Sequence, residues 1–207
     1  MTHSENLTGV IFVMIGPGGA GKNAIMRAII EQSAIISQLA TATTRPMRED
    51  EKQGREHLFI SLDKFQDMID NNELLEYQEV TSNRFYGIPR QSVVDSLSQG
   101  KILVADIEVL GAQELTNAFP EHIVQIFITV PGNSPEEQLI VLEERMRLRG
   151  DSTNIEERLE RAKTLEFPYK NSCSYTVVND ELPHAIQLVS DIIQQELKKR
   201  QLLGELS

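Results

Sequence analysis

Short continuous apolar runs alternate along this chain with longer stretches whose apolar positions recur at helical spacing. Val10 to Ile15 reads as a buried strand, and Asn23 to Gln32 as a helix with Ile25, Ala28 and Ile29 on one face. Ile35 to Thr43 supplies a second strand. Arg45 to Gly54 is charged and carries the breakers Pro46 and Gly54, so it reads as an exposed excursion. His57 to Ile60 is a short strand, after which Ser61 or Asp63 caps a helix carrying Phe65, Met68 and Ile69. Glu73 to Val80 alternates as a strand, a turn leads to Phe85-Tyr86-Gly87, and Pro89 opens a helix with Val93, Val94 and Leu97 inward. Ile102 to Asp106 is continuous and apolar, as in a buried parallel strand, and ends in a carboxylate. A helix from Val109 to Asn117, a strand from Ile123 to Val130 and a long helix from Pro135 to Arg147 follow. Arg149-Gly150-Asp151 interrupts, and helix resumes from Ile155 to Leu165. Tyr175 to Val178 is a last strand, and His184 to Arg200 an amphipathic closing helix. Alternating strands and helices predict the α/β class, a three-layer sandwich on a parallel sheet. No repeat, low-complexity tract or interdomain linker interrupts it.

Between the first strand and the first helix lies Gly16-Pro17-Gly18-Gly19-Ala20-Gly21-Lys22-Asn23. Glycine at the first and sixth positions, followed by lysine, is the spacing of a phosphate-binding loop. Glycines let successive backbone N–H groups turn inward, the helix N-terminus adds positive potential, and lysine reaches the outer phosphates. The eighth position, where a Ser or Thr hydroxyl would ligate Mg²⁺, is Asn23. The plainer reading, a glycine-rich turn that starts a helix, is disfavoured by the order strand, loop, lysine, helix.

Composition narrows the class. The chain of 207 residues fits one domain with insertions, and its 40% hydrophobic and 25% charged content is that of a soluble protein. A net charge of -11 argues against a nucleic-acid-binding surface. Arginines nevertheless cluster at Arg45, Arg48 and Arg55, and again at Arg145, Arg147 and Arg149, which in an acidic chain suggests small anionic ligands. The single Cys173 excludes an intrachain disulfide and suits a reducing, cytoplasmic setting. Residues 1–9 show no secretory pattern, and no apolar run approaches membrane-spanning length, so no membrane partner is expected.

Thr41-Ala42-Thr43-Thr44-Arg45-Pro46-Met47-Arg48, with Glu51, Gly54 and Phe59 beyond, resembles guanylate kinases. The likeness continues through Glu76, Tyr86-Gly87, Asp106-Ile107-Glu108-Val109-Leu110-Gly111-Ala112, Arg145, Arg149-Gly150, Arg158 and Val177-Val178-Asn179-Asp180, covering about residues 10–200 in unbroken order. The resemblance implies transfer of the γ-phosphoryl group of ATP to GMP, with Mg²⁺ and with dGMP as a further acceptor, by a monomer or homodimer. It also implies a P-loop NTPase sandwich in one domain over residues 1–207. Its core would be 8–40, 92–135 and 166–201, its mobile NMP-binding arm about 41–91, and its lid about 136–165. Lys22, Arg145, Arg149 and Arg158 would supply catalytic charge over the equatorial oxygens of the transferred group. ATP would meet Gly16, Gly19, Gly21, Lys22, Asn23 and Asn179, the last read equally as a turn asparagine. GMP would meet Thr41, Arg45, Arg48, His57, Glu76, Tyr86 and Asp106. Arg45 and Arg48 suit its phosphate, and a buried Glu76 accepting from the N1–H and amino groups of guanine would discriminate against AMP. Asn23 and Asp106 are the expected metal-side residues, with Glu108 a weaker one; Asp106 would orient Mg²⁺ waters or the acceptor.

Four departures from that pattern bear on rate. Gly18 stands at a usual serine, Asn23-Ala24 at two hydroxyl residues, His57 at a tyrosine and Ile88 at a serine or threonine near the base. Each hydrogen bond lost to a charged group costs roughly 1.5–3 kcal/mol, on the order of tenfold to a hundredfold in rate if felt in the transition state. Asn23 still offers a carbonyl oxygen and His57 still donates, so the expectation is a divergent, slow but working kinase. Two other readings stand beside it. One is a weakened, guanylate kinase-like binding module, against which Lys22 and the lid arginines speak. The other is a related kinase for another phosphorylated acceptor, against which Glu76 speaks.

Overall fold

The computed structural model describes residues 7–49, 51–55, 57–81, 83–150 and 154–204. Its strands are β1 (Val10–Ile15), β2 (Ile36–Gln38), β3 (Thr41–Thr43), β4 (His57–Phe59), β5 (Leu74–Thr81), β6 (Arg84–Pro89), β7 (Ile102–Asp106), β8 (Ile123–Thr129) and β9 (Tyr175–Val178). The larger sheet runs in the order β2-β7-β1-β8-β9 and is the expected parallel sheet of an α/β fold. A second sheet runs β4-β3-β6-β5. Contacts group the chain into two compact units, Met1–Val13 with Ala34–Val124 and Met14–Ser33 with Gln125–Ser207.

In the first unit the expected single strand over Ile35 to Thr43 is two strands in two sheets. β2 pairs parallel with β7 (Ser37 opposite Leu103), whereas β3 pairs parallel with β4 and antiparallel with β6. The chain changes sheets at Leu39-Ala40, where Leu39 is buried and its N–H still bonds Val104 O. Helix α2 (Leu62–Asp70) starts at Ser61, whose hydroxyl accepts from the Lys64 N–H. Its Phe65 is fully buried, 5.4 Å from the Phe85 ring of β6. Burial of one such side chain contributes about 1.5–3 kcal/mol, which fixes the helix to the small sheet. Pro89 caps α3 (Arg90–Ser98), and α4 (Val109–Ala118) follows β7.

In the second unit, α1 (Lys22–Gln32) opens at the glycine loop, and β8 pairs parallel with β9. The long α5 (Pro135–Leu148) has Ser134 capping Glu137, Pro135 in its first turn, Glu136 and Glu137 beside the positive end of its dipole, and Arg145 and Arg147 beside the negative end. Gly150, at φ +78°, takes the left-handed conformation that ends it. Asp151, expected in the same break, lies outside the described residues. The helix expected from Ile155 to Leu165 is α only over α6 (Ile155–Arg161). It widens to a π-helical segment over Ala162–Glu166 before the short α7 (Phe167–Tyr169) and a 3₁₀ turn. The extra residue in that turn lets Glu166 face Arg161 at 3.7 Å across five positions. Helix α8 runs Leu182–Gly204, two residues earlier and four later than its apolar periodicity. Among the described residues no helix is long and apolar enough to cross a membrane.

Candidate active site

Two clusters of chemically able residues emerge, one in each unit. In the second unit, the buried Met14 and Ile15 that end β1 deliver the chain into Gly16, Gly19 and Gly21, at φ +141°, +95° and +94°. Side chains are excluded there for two reasons. The left-handed backbone resists them, and a Cβ on Gly16 would lie 2.0 Å from Ile128 O, one on Gly21 2.2 Å from Asn179 Nδ2. Lys22, the first residue of α1, curls back over the loop, its Nζ donating to Gly16 O at 2.6 Å and Pro17 O at 3.4 Å. The first turn of α1 carries no acidic residue and no side-chain cap, so its N–H groups and dipole favour an anion. Asn23 and Ala24 are exposed on that turn.

The arginines downstream divide by position. Arg158 of α6 lies against the loop, its Cδ 3.8 Å from where a Cβ on Gly18 would stand. Arg145 of α5 donates through Nη2 to Asn179 O at 2.8 Å. Arg149 is the exposed C-cap of α5. Asn179, directly after β9, is only 4% exposed; its backbone N–H donates to Thr129 O and its Nδ2 to Ala20 O, both at 2.8 Å. As a sequence letter it gave no sign of this threefold engagement. An asparagine at a strand end looks like a turn residue.

In the first unit, the parallel pairing of β3 and β4 sets Thr41 opposite His57, and Thr41 Oγ1 lies 2.8 Å from His57 Nδ1. The His57 ring stands edge-on to Tyr86 at 5.7 Å and to Phe59 at 5.6 Å. Arg45 leaves β3 into the same group and is 9% exposed. Its Nε donates to Tyr86 Oη at 3.1 Å, its Nη1 to Pro46 O at 2.9 Å and Glu51 Oε2 at 2.7 Å, and its Nη2 to Glu51 Oε1. Four of its five N–H donors are thus engaged. Glu51 also accepts from the Arg48 N–H at 2.8 Å; the Arg45 hydrogen bonds, then the Arg48 amide, hold its carboxyl down to about 2. The Arg48 guanidinium is exposed, without an ion pair to any described residue. Glu51 as the partner of Arg45 was missed in the sequence; three residues past Arg48, it offered only a carboxylate in a charged excursion.

Glu76 lies on β5, beside Gly111 of α4. Burial, then the charges of Glu108 and Glu114, push its carboxyl above the ordinary range. Gly111, inside α4, leaves room for it. A Cβ there would lie 3.2 Å from Glu76 Oε2, 3.2 Å from Ile88 Cδ1 and 2.6 Å from Ile107 Cγ2. Asp106 closes β7 and is half-buried. No group of three His, Cys, Asp or Glu among the described residues is placed to hold a metal. A Mg²⁺ that keeps its waters and uses phosphate oxygens needs only one or two protein oxygens, which the exposed Asn23 amide fits. His122 and Cys173 take structural bonds, to Gly9 O at 2.8 Å and Gln125 Oε1 at 3.6 Å.

Sequence and structure comparisons with known proteins point to one family. A family model described as Guanylate kinase matches residues 9–196. The guanylate kinase of Maricaulis maris is 34% identical over 194 residues, spanning 93% of this chain and 85% of its own. That of Nostoc sp. is 37% identical over 191 residues, spanning 91% and 92%. The crystal structure of guanylate kinase from Anaplasma phagocytophilum superposes with a TM-score of 0.67 at 28% identity, covering 92% of this chain and 87% of that one.

Proposed function

The chain belongs to the guanylate kinase family, and we propose that it transfers the γ-phosphoryl group of ATP to GMP, releasing ADP and GDP. The observation that carries this reading is Lys22 at the uncapped start of α1, folded over three left-handed glycines. That cradle suits the β- and γ-phosphates, toward which Lys22 would exchange the Gly16 and Pro17 carbonyls for phosphate oxygens. An oxygen of the GMP phosphate attacks the γ-phosphorus, the bond to the ADP oxygen breaks, and no side chain need become covalent.

The acceptor side follows from the donors left over. Tyr86 Oη accepts from Arg45 and keeps its own proton to donate, Arg45 keeps one N–H, and Arg48 presents a guanidinium. With Thr41 and His57 beside them, these residues suit a phosphate dianion. Glu76, once ionised, accepts from both N–H donors of guanine, a match adenine lacks. The carbonyl of Asn23 would hold Mg²⁺ or its waters, the carboxylate of Asp106 would orient such waters or the acceptor, and the ion would supply charge neutralisation on the phosphates. Arg145, Arg149 and Arg158 would add positive charge to the transition state. Nothing favours a non-catalytic module, since the cradle and its lysine are intact. We also assign an acceptor arm over about 41–91, a lid over about 136–165, dGMP as a second acceptor, and cytoplasmic residence as a monomer or homodimer.

The test is a coupled ADP-release assay with GMP, dGMP, AMP and ribose phosphates, on the wild type and Lys22→Ala. GMP-dependent ADP release that falls at least a hundredfold in Lys22→Ala, with unchanged circular dichroism, is expected. Wild-type turnover in Lys22→Ala at saturating GMP refutes the reading.

A further inference from the structure

Three polar groups of Asn179 are committed within one unit. Its N–H goes to Thr129 O of β8, its carbonyl takes Arg145 Nη2 from α5, and its Nδ2 holds Ala20 O in the phosphate loop. The side chain is as buried as the core, and Ala20 itself is fully buried. Gly21, the next loop residue, has no Cβ at the spot where one would stand 2.2 Å from Asn179 Nδ2. The amide therefore lies flush against the loop backbone, in space that any side chain on residue 21 would occupy. A group so placed fixes the loop. One of the two N–H groups on Nδ2 is spent on the loop carbonyl, and at 4% exposure the other N–H and Oδ1 have little access to a nucleobase.

We infer that Asn179 is a positioning residue that locks the phosphate loop and seats Arg145 from one point, rather than a residue that reads the base of ATP. The inference rests on the loop binding the phosphates of ATP. With Asn179 in place, the carbonyl of Ala20 is tied to a buried side chain, and the loop around it is held in one shape. Arg145 is referenced to the same residue, so charge and cradle share one anchor. If the tie is broken, the loop loses its fixed shape, which lowers transition-state stabilisation for any nucleoside triphosphate alike.

Asn179→Asp isolates the contact. It is isosteric, it keeps both backbone bonds, and it puts an acceptor where the donor faced Ala20 O. The expected result is a fall in kcat/KM of about tenfold to a hundredfold for ATP and ITP by the same factor, with the GMP KM unchanged. ITP carries an acceptor where adenine carries its amino group, so it reports base reading directly. Asn179→Ala, which deletes the donor without adding charge, should lower both nucleotides in parallel as well. A loss confined to ATP would assign the side chain to the base and overturn the inference, as would an unchanged rate with both nucleotides. Thermal midpoints separate mere loss of stability. If the variants recover wild-type turnover at temperatures where they are fully folded, the tie serves the fold alone and the inference fails. Absence of GMP-dependent turnover in the wild type would instead refute the proposed function.

Discussion

Replacing Glu51 by Gln tests the cluster around Arg45 most directly. The carboxyl falls from an ordinary 4.5 to about 2, first through its hydrogen bonds with Arg45, then through the Arg48 amide and the nearby positive charge. That depression, at about 1.4 kcal/mol per pH unit, sets a ceiling of about 3.5 kcal/mol. The side chain is only 10% exposed, but it belongs to a surface excursion where water screens the pair, so about 1–2 kcal/mol is the realistic contribution. The sign follows from the depressed value. This stabilisation is fully present above about pH 4.5 and is lost as pH falls toward 2. Glu51→Gln does not titrate, so the two proteins should differ by about 1–2 kcal/mol at pH 7, about 2–8 °C in thermal midpoint, and converge on acidification. Urea unfolding followed by circular dichroism at pH 7, 5 and 3.5, without nucleotide, gives the comparison. A gap as wide at pH 3.5 as at pH 7 would refute the ion-pair account, because a neutral packing defect has no such pH dependence.

Glu76→Gln should weaken GMP binding far more than ATP binding in calorimetry, since it presents a donor to the donors of guanine. Because the free Glu76 carboxyl is raised by burial and must ionise to accept, wild-type GMP affinity should rise as pH climbs through that raised value, and Glu76→Gln should lose this rise. His57→Tyr addresses the phosphate side, where Glu51, Arg45 and Tyr86 are among the charged and titratable neighbours in the described residues. A protonated imidazole beside a dianion strengthens binding at low pH, so wild-type GMP affinity should fall more steeply above neutrality than that of His57→Tyr; parallel curves would remove His57 as a cationic contact.

The sequence carried the strand and helix order well where one environment dominates. Val10 to Ile15 and Ile102 to Asp106 are continuous apolar runs because both faces of a parallel strand are covered, and both emerge with those bounds. Legibility failed where pattern and environment part. Ile36–Gln38 and Thr41–Thr43 join different sheets, yet nothing in a run of mixed residues marks the change of partner. The π-helical segment over Ala162–Glu166 keeps helical composition and only alters the winding. At the site, the loop glycines were readable because their spacing is local. The Arg45–Glu51 pair spans only six positions but depends on how the charged excursion folds back on itself, whereas the Asn179 anchor and the space at Gly111 depend on contacts distant in sequence, Asn179 meeting Ala20 across 159 positions.

Cys173 leaves one more consequence. Burial lifts its thiol to about 11 from 9.0, and its Sγ–H points to Gln125 Oε1 and Tyr169 O. At pH 7 that leaves roughly one thiolate in ten thousand molecules, against about one in a hundred at the ordinary value. Alkylating reagents and peroxide therefore find almost no nucleophile while Cys173 keeps its partly buried surroundings. With a single sulfhydryl in the chain, the rate at which a thiol reagent consumes it becomes a clock for the opening of the segment that leads into β9.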